Sequence, residues 1–120
     1  MEWIKIVIQI IIAVSILNVW ILRIGKSSRW RGGSAKSMKD EFEVYNLPPW
    51  FMNVIGFLKL TLALLLIAGI WLKVLIIPAA IGIAVLMLGA IIMHIKVKDP
   101  LIKSFPAFSF LVLSLILILV

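Results

Sequence analysis

FMNVIGFLKLTLALLLIAGIWLKVLIIPAAIGIAVLMLGAIIMHI, residues 51–95, is the stretch that decides the fold. Lys59 and Lys73 are its only formally charged residues, and His94 stands one residue before its end. A helix needs about 20 apolar residues to cross about 30 Å of hydrocarbon. The run holds two such lengths, Phe51–Leu72 and Val74–Ile95, with Lys73 and a tight turn between them. So short a link makes the two helices antiparallel neighbours. Pro78 falls in the first turn of the later one, where its missing N–H costs little, and marks a start more than a break.

Two further spans flank this pair, Ile4–Leu22 and Leu101–Val120. The first is read as retained. It opens with Glu2 instead of a basic region, is too long for a signal core, and lacks a small-x-small site before Arg23. In the last, Ser109 and Ser114 can bond back to carbonyls of their own helix. Composition agrees with four spans in a single domain over residues 1–120. The chain is 64% hydrophobic and 14% charged, against about half and about a quarter in a soluble domain. A chain of 120 residues has too much surface for its volume to hide that much apolar matter from water.

Twelve Lys and Arg against five Asp and Glu give a net charge of +7. The basic residues lie between apolar runs, so their electrostatic partner is an anionic headgroup layer and not nucleic acid. There is no cysteine, which removes disulfides, thiolate nucleophiles and Cys-ligated metals.

Arg23 to Trp50 is the one sizeable polar region. Ser37-Met38-Lys39-Asp40 carries a Ser-x-x-acid helix start, and Met38, Phe42 and Tyr45 follow on one face. Asn46-Leu47-Pro48-Pro49 ends it. These features predict a short amphipathic helix lying on the membrane surface, apolar face down. Arg23, Arg29, Trp30, Arg31, Lys36 and Trp50 are expected at headgroup level. Nine Lys and Arg fall in this region and in the segment after the third span (Arg23, Lys26, Arg29, Arg31, Lys36, Lys39, Lys96, Lys98, Lys103), and two on the other side (Lys5, Lys73). The positive-inside rule places both basic loops in the cytoplasm and both termini outside the cell membrane.

Lys59 is the costliest residue. It lies roughly 13 Å along the helix from Trp50 at about 1.5 Å per residue, and an ammonium in hydrocarbon costs about 2.5–3.5 kcal/mol on insertion scales. It is expected either to snorkel toward water or to meet an anionic or quinone-like headgroup from within the bundle. Ser15 and Asn18 share a face of the first helix and are expected to bond a neighbouring helix, with Gln9 on the opposite side. Ala79, Gly82, Gly89 and Ala90 make a small-residue stripe for close packing. His94 sits at the end of the third span, where the helix dipole favours its protonated form. Asp99 is expected to form an exposed pair with Lys96, Lys98 or Arg23, of little energetic worth. A lone His without Cys is no metal site. No nucleotide loop, GxSxG, HExxH or paired carboxylates are present, and all five acids lie outside the spans, against proton-coupled transport.

Three segments taken together, Arg31-Gly32-Gly33-Ser34-Ala35-Lys36-Ser37-Met38, Leu47-Pro48-Pro49-Trp50-Phe51 leading to Gly56-Phe57-Leu58-Lys59-Leu60, and Met93-His94-Ile95-Lys96-Val97-Lys98-Asp99-Pro100, resemble the DoxX-like family of small four-helix membrane proteins. The likeness covers nearly the whole chain. It implies a left-handed four-helix bundle and kinship with membrane subunits of quinone-linked or other redox complexes, and with assembly factors for membrane proteins. Many members carry an acid where this chain has Lys59, and thiol chemistry suggested for some relatives is impossible here. The expected protein is an all-α integral membrane four-helix bundle acting as a non-catalytic accessory subunit. It would hold a quinone or lipid in a pocket formed by Lys59, Asn18 and His94. A scaffold docking on other membrane proteins or on itself is the alternative, and a small oligomeric transporter or channel a third.

Overall fold

The computed structural model describes residues 2–22, 25, 31–33 and 35–120. Helix α1 (Glu2–Leu17) runs into a π-wound turn, Asn18–Leu22. Next come α2 (Met38–Val44), α3 (Pro49–Ala68), α4 (Ile76–Lys96) and α5 (Phe105–Leu119). Short 3₁₀ turns, Lys73–Leu75 and Leu101–Ser104, lead into α4 and α5. Four segments are long and apolar enough to cross a membrane: Trp3–Leu22, Pro49–Ala68, Lys73–Lys96 and Leu101–Leu119. Helix α1 packs on α3, α3 on α4, α4 on α5, and α5 back on α1. The result is a closed up-and-down ring, 40 Å in its longest dimension, close to the ~40–45 Å of a bilayer with its headgroups.

Small residues draw the helices together. Ala13, Ala63, Ala79 and Ala80 are fully buried among Ile12, Leu66, Ile83 and Leu117, so backbones approach closely where lipid offers no hydrophobic drive for association. The outside is apolar on every long helix, with Val14, Phe57, Leu64, Val85, Ile92 and Phe108 all exposed. A surface of that kind is satisfied by hydrocarbon. Exposed Trp50 marks one end of the bundle and exposed Trp3 and Trp71 the other, as expected of rings seated at the two interfaces.

The second span is shorter than expected, ending at Ala68 instead of Leu72. The chain has to reverse into α4, and it tightens through Ile70 N–H to Ile67 O and Trp71 N–H to Ala68 O, both 3.1 Å. Gly69 makes this possible. A Cβ there would lie 3.0 Å from Ile76 and 3.2 Å from the Gln9 amide.

Gln9 also corrects the reading of α1. It is fully buried and donates to the Leu66 carbonyl at 2.8 Å. Leu66 lies in the last turn of α3, where carbonyls lack an intrahelical partner. Gln9 therefore supplies the interhelical hydrogen bond that was expected of Asn18, which is exposed, and Ser15, which is half-buried. The inward face is Ile8, Gln9, Ile12, Ala13, Ile16 and Trp20. That face is chosen by apolar packing, with one polar residue aboard. The small-residue stripe of α4 divides too: a Cβ on Gly82 would meet Leu62 of α3 at 2.9 Å, while Gly89 faces open space.

Helix α2 starts as expected. Ser37 Oγ accepts the Asp40 N–H at 3.1 Å. Its apolar face, Met38, Phe42 and Tyr45, is buried against the bundle and not against lipid. Phe42 meets Trp20 edge-on at 6.3 Å and Phe51 at 6.3 Å. Helix α2 is thus a roof on one end of the bundle.

Candidate functional site

Two helix ends at this roof are built alike, and the likeness creates the site. After α2, Asn46 adopts φ 63°, its N–H bonds Glu43 O, and the Leu47 N–H bonds Phe42 O at 2.9 Å. After α4, Lys98 adopts φ 59°, its N–H bonds Ile95 O, and the Asp99 N–H bonds His94 O at 2.9 Å. A left-handed residue just past a helix folds the next residue back over the third-from-last one. Prolines, Pro48 and Pro100, then send the chain onward. In α2 this geometry brings Leu47 back to Phe42. In α4 it sets Asp99 on His94.

The Asp99 carboxylate accepts from His94 Nδ1 at 2.7 Å, and its side chain is only 4% exposed. Burial alone would raise the Asp99 pKa. The His94 hydrogen bond, the Gly33 N–H and the Lys103 charge outweigh it and hold the carboxyl below its usual value. With an anion as acceptor, His94 Nδ1 carries the proton. Asp99 was expected in an exposed pair with Lys96, Lys98 or Arg23. It is buried, with His94 and Lys103 (3.9 Å) as its partners.

A strap, Arg31-Gly32-Gly33, closes over the pair. Gly32 N–H donates to Glu41 Oε2 at 2.7 Å, Gly33 N–H to Asp99 Oδ1 at 2.9 Å, and Lys103 Nζ to Gly33 O at 2.6 Å. Both glycines are dictated by space. A Cβ on Gly32 would lie 2.5 Å from the Tyr45 ring. Gly33 has φ +55°, and its Cβ would meet Val44 at 2.8 Å. Arg31 is buried, donates to Met38 Sδ at 3.6 Å and stands 4.0 Å from Glu41. It was expected among lipid headgroups; Glu41 and the strap draw it inward.

Tyr45 stands between these parts. Its hydroxyl hydrogen-bonds Glu41 and lies 3.4 Å from His94 Nδ1, whose proton is already directed at Asp99. Burial first, then the charges of Glu41 and Asp99, push the phenol far above its usual pKa, with Arg31 opposing. Tyr45 therefore remains a neutral donor. Lys96 Nζ bonds its carbonyl at 3.1 Å.

Lys59 approaches from α3 and lies 5.4 Å from the centroid of the Trp20 ring, a cation–π contact. Gly56 admits that ring, since a Cβ there would lie 2.7 Å from it. Glu41 of the roof is the carboxylate whose charge reaches Lys59. Between Lys59 and His94 stand Trp20, Phe42 and Tyr45, in sequential ring contact at 6.3, 6.5 and 5.9 Å. Packed rings connect the two residues, and Asn18 lies on the exposed surface of the π-wound turn. Lys36 lines a shallow depression of about 430 Å³ on the outer side of α2 with Ala35, Asp40, Glu43 and Val44. Trp50 is exposed and edge-on to Phe51 at 5.9 Å. Arg23, Arg29 and Trp30 lie outside the described residues.

Glu41, Tyr45, Asp99 and the two strap glycines are the members that sequence reasoning left out of the site. Their signal was present in paired glycines that no turn explained, and in an acid just before a proline beyond a helix end.

No solved structure matches the chain. An uncharacterized protein of Bacillus subtilis (strain 168), YdgD, is 34% identical over 94 residues, which span 73% of this chain and 82% of the relative. The strap, the roof, Lys59 and the His94–Asp99 turn all fall inside residues 10–119, the stretch matched by the family model of the DoxX-like family, to which this chain belongs.

Proposed function

We propose that the protein is a non-catalytic membrane subunit that holds a lipophilic ligand by its headgroup at Lys59, in service of a quinone- or redox-linked complex. One observation carries the reading. An ammonium within the apolar α3 rests on a tryptophan face, and among the described residues it has no hydrogen-bond acceptor. A Lys has three donors to satisfy, and a headgroup arriving from the bilayer would satisfy them. The strapped roof gives that position a rigid ceiling. Protein purified in mild detergent should retain a quinone or lipid detectable by mass spectrometry, and Lys59→Met should release it. Equal retention by the variant counts against the reading.

The proposed placement is the cell's inner membrane, with the roof cytoplasmic and both termini outside. The roof and the His94–Lys103 segment gather the basic residues at one end of the bundle, while Lys5 and Lys73 line a depression with Ile76 and Leu117. Charge bias of this kind orients helices. Single cysteines introduced at Ser37 and near Leu119 test it cleanly in a chain with no cysteine. Labelling of both from the same side would refute it. The scaffold reading draws support from Gly89, a small residue open to the outside of α4. Loss of co-purifying membrane proteins on Gly89→Leu, but not on Lys59→Met, would favour it.

A further inference from the structure

The surroundings of four of the chain's acidic side chains are described. There are five acids. Asp99 is occupied by His94, Gly33 and Lys103. Glu41 serves Arg31, Gly32 and Tyr45. Asp40 and Glu43 line the outer depression beside Lys36. Glu2 begins α1, at the end of the bundle away from the roof. Residues 23–36 add Arg23, Lys26, Arg29, Arg31 and Lys36 and no acid.

Among the described residues, Lys59 is thus a cation inside an apolar span that no carboxylate neutralises at salt-bridge distance; Glu41 reaches it only through its field. Near it in sequence on α3, Val54, Phe57 and Leu58 are exposed and apolar, as are Ile21 and Leu22, which follow Trp20 in the π-wound turn. Such walls suit acyl chains. A neutral headgroup would fill the donors and leave the charge. An oxyanion would do both, and an ammonium–phosphate bond is among the stronger hydrogen bonds.

We propose that Lys59 binds the phosphate of an anionic phospholipid from the leaflet at the roofed end, with its acyl chains along α1 and α3. This inference rests on the headgroup reading above and narrows its ligand to the singly charged phosphodiester of a diacyl lipid, against a neutral quinone.

The test uses the full chain in mild detergent, re-lipidated separately with phosphatidylglycerol, phosphatidylcholine and a long-chain quinone, and read by native mass spectrometry under rising collision energy. One phosphatidylglycerol should persist on the wild type and on Lys59→Arg. It should fall about tenfold or more in Lys59→Met and Lys59→Gln, the loss expected of one charge-assisted bond. Phosphatidylcholine and quinone should leave early from every form. Glycerophosphoglycerol, the same phosphodiester anion without acyl chains, should not displace the lipid, and displacement at equal concentration would overturn the amphiphile assignment. Retention of quinone that depends on Lys59, without retention of phosphatidylglycerol, would overturn this inference and leave the headgroup reading standing. If no adduct depends on Lys59 while the variants keep wild-type helical circular dichroism, both fall.

Discussion

Replacing Gly32 with Ala adds a single methyl group where the structure has no room for one. The new carbon would lie 2.5 Å from Tyr45 Cε1 and 2.6 Å from its hydroxyl oxygen. The Tyr45 ring cannot step aside, because Phe42 and His94 hold it at 6.5 and 5.9 Å. The strap must lift by about 1 Å to restore ordinary contact distances. That displacement carries the Gly32–Glu41 and Gly33–Asp99 bonds, at 2.7 and 2.9 Å, out of range. A bond to a charged group is worth about 1.5–3 kcal/mol when shielded. Since the Gly33 bond is exposed and worth less, the total loss comes to about 2–4 kcal/mol. In a domain of this size that lowers the unfolding midpoint by roughly 10 °C. Thermal unfolding in detergent measures the midpoint, and amide hydrogen exchange at Gly33 reports whether the strap has lifted. Gly89→Ala is the control. With nothing within 4 Å of its Cβ, it should leave stability unchanged or raise it by up to about 1 kcal/mol through helix propensity. A second control pairs Gly32→Ala with Tyr45→Ala, which clears the space and should abolish most of the penalty. A Gly32→Ala variant that unfolds at the wild-type temperature with its Gly33 amide still protected would refute the packing of strap on tyrosine.

Gln9→Leu should destabilise the bundle by about 1 kcal/mol, the worth of one interhelical hydrogen bond in a membrane protein, whereas Asn18→Leu should not; unfolding by denaturing detergent compares them. Gly82→Leu should fail to form the native bundle, because Leu62 occupies the space, and loss of a monodisperse peak in size-exclusion chromatography would show it. Asp99 ionises more readily in the folded protein than at its ordinary value of 3.8, so its contribution to stability is present above about pH 4 and is lost as pH falls through the lowered folded value. Asp99→Asn should therefore be the less stable protein at neutral pH, and its deficit should shrink in acid; a deficit independent of pH would contradict the buried anion.

What could be read from the sequence was local. The four spans follow from apolar length, and the α2 start follows from Ser37 and Asp40 three residues apart. The reversal between α3 and α4 was visible in Lys73, though its earlier beginning at Gly69 depends on contacts with Gln9 and Ile76 that sequence spacing does not carry. Phase was harder. Asn18 and Ser15 form the more polar face of α1, yet the inward face is set by how Ile12, Ala13 and Ile16 fit the neighbouring helices, and Gln9 goes with them. The site was legible only in parts, because its contacts join residues far apart in the chain: Gly33 with Asp99, Tyr45 with His94. Nothing in the spacing of Arg31-Gly32-Gly33 says that its glycines are shaped by a tyrosine side chain and an aspartate beyond the third span.

That separation bears on how the molecule is made. Gly33 is among the earlier residues to leave the ribosome, and the groups that fasten it, Asp99 and Lys103, are 66 and 70 positions later. The clasp cannot shut until the fourth transmembrane segment is being delivered to the bilayer. A truncated or stalled product would leave Glu41, Tyr45 and His94 without their cover, and membrane proteases could tell it from the finished protein by that unfastened end.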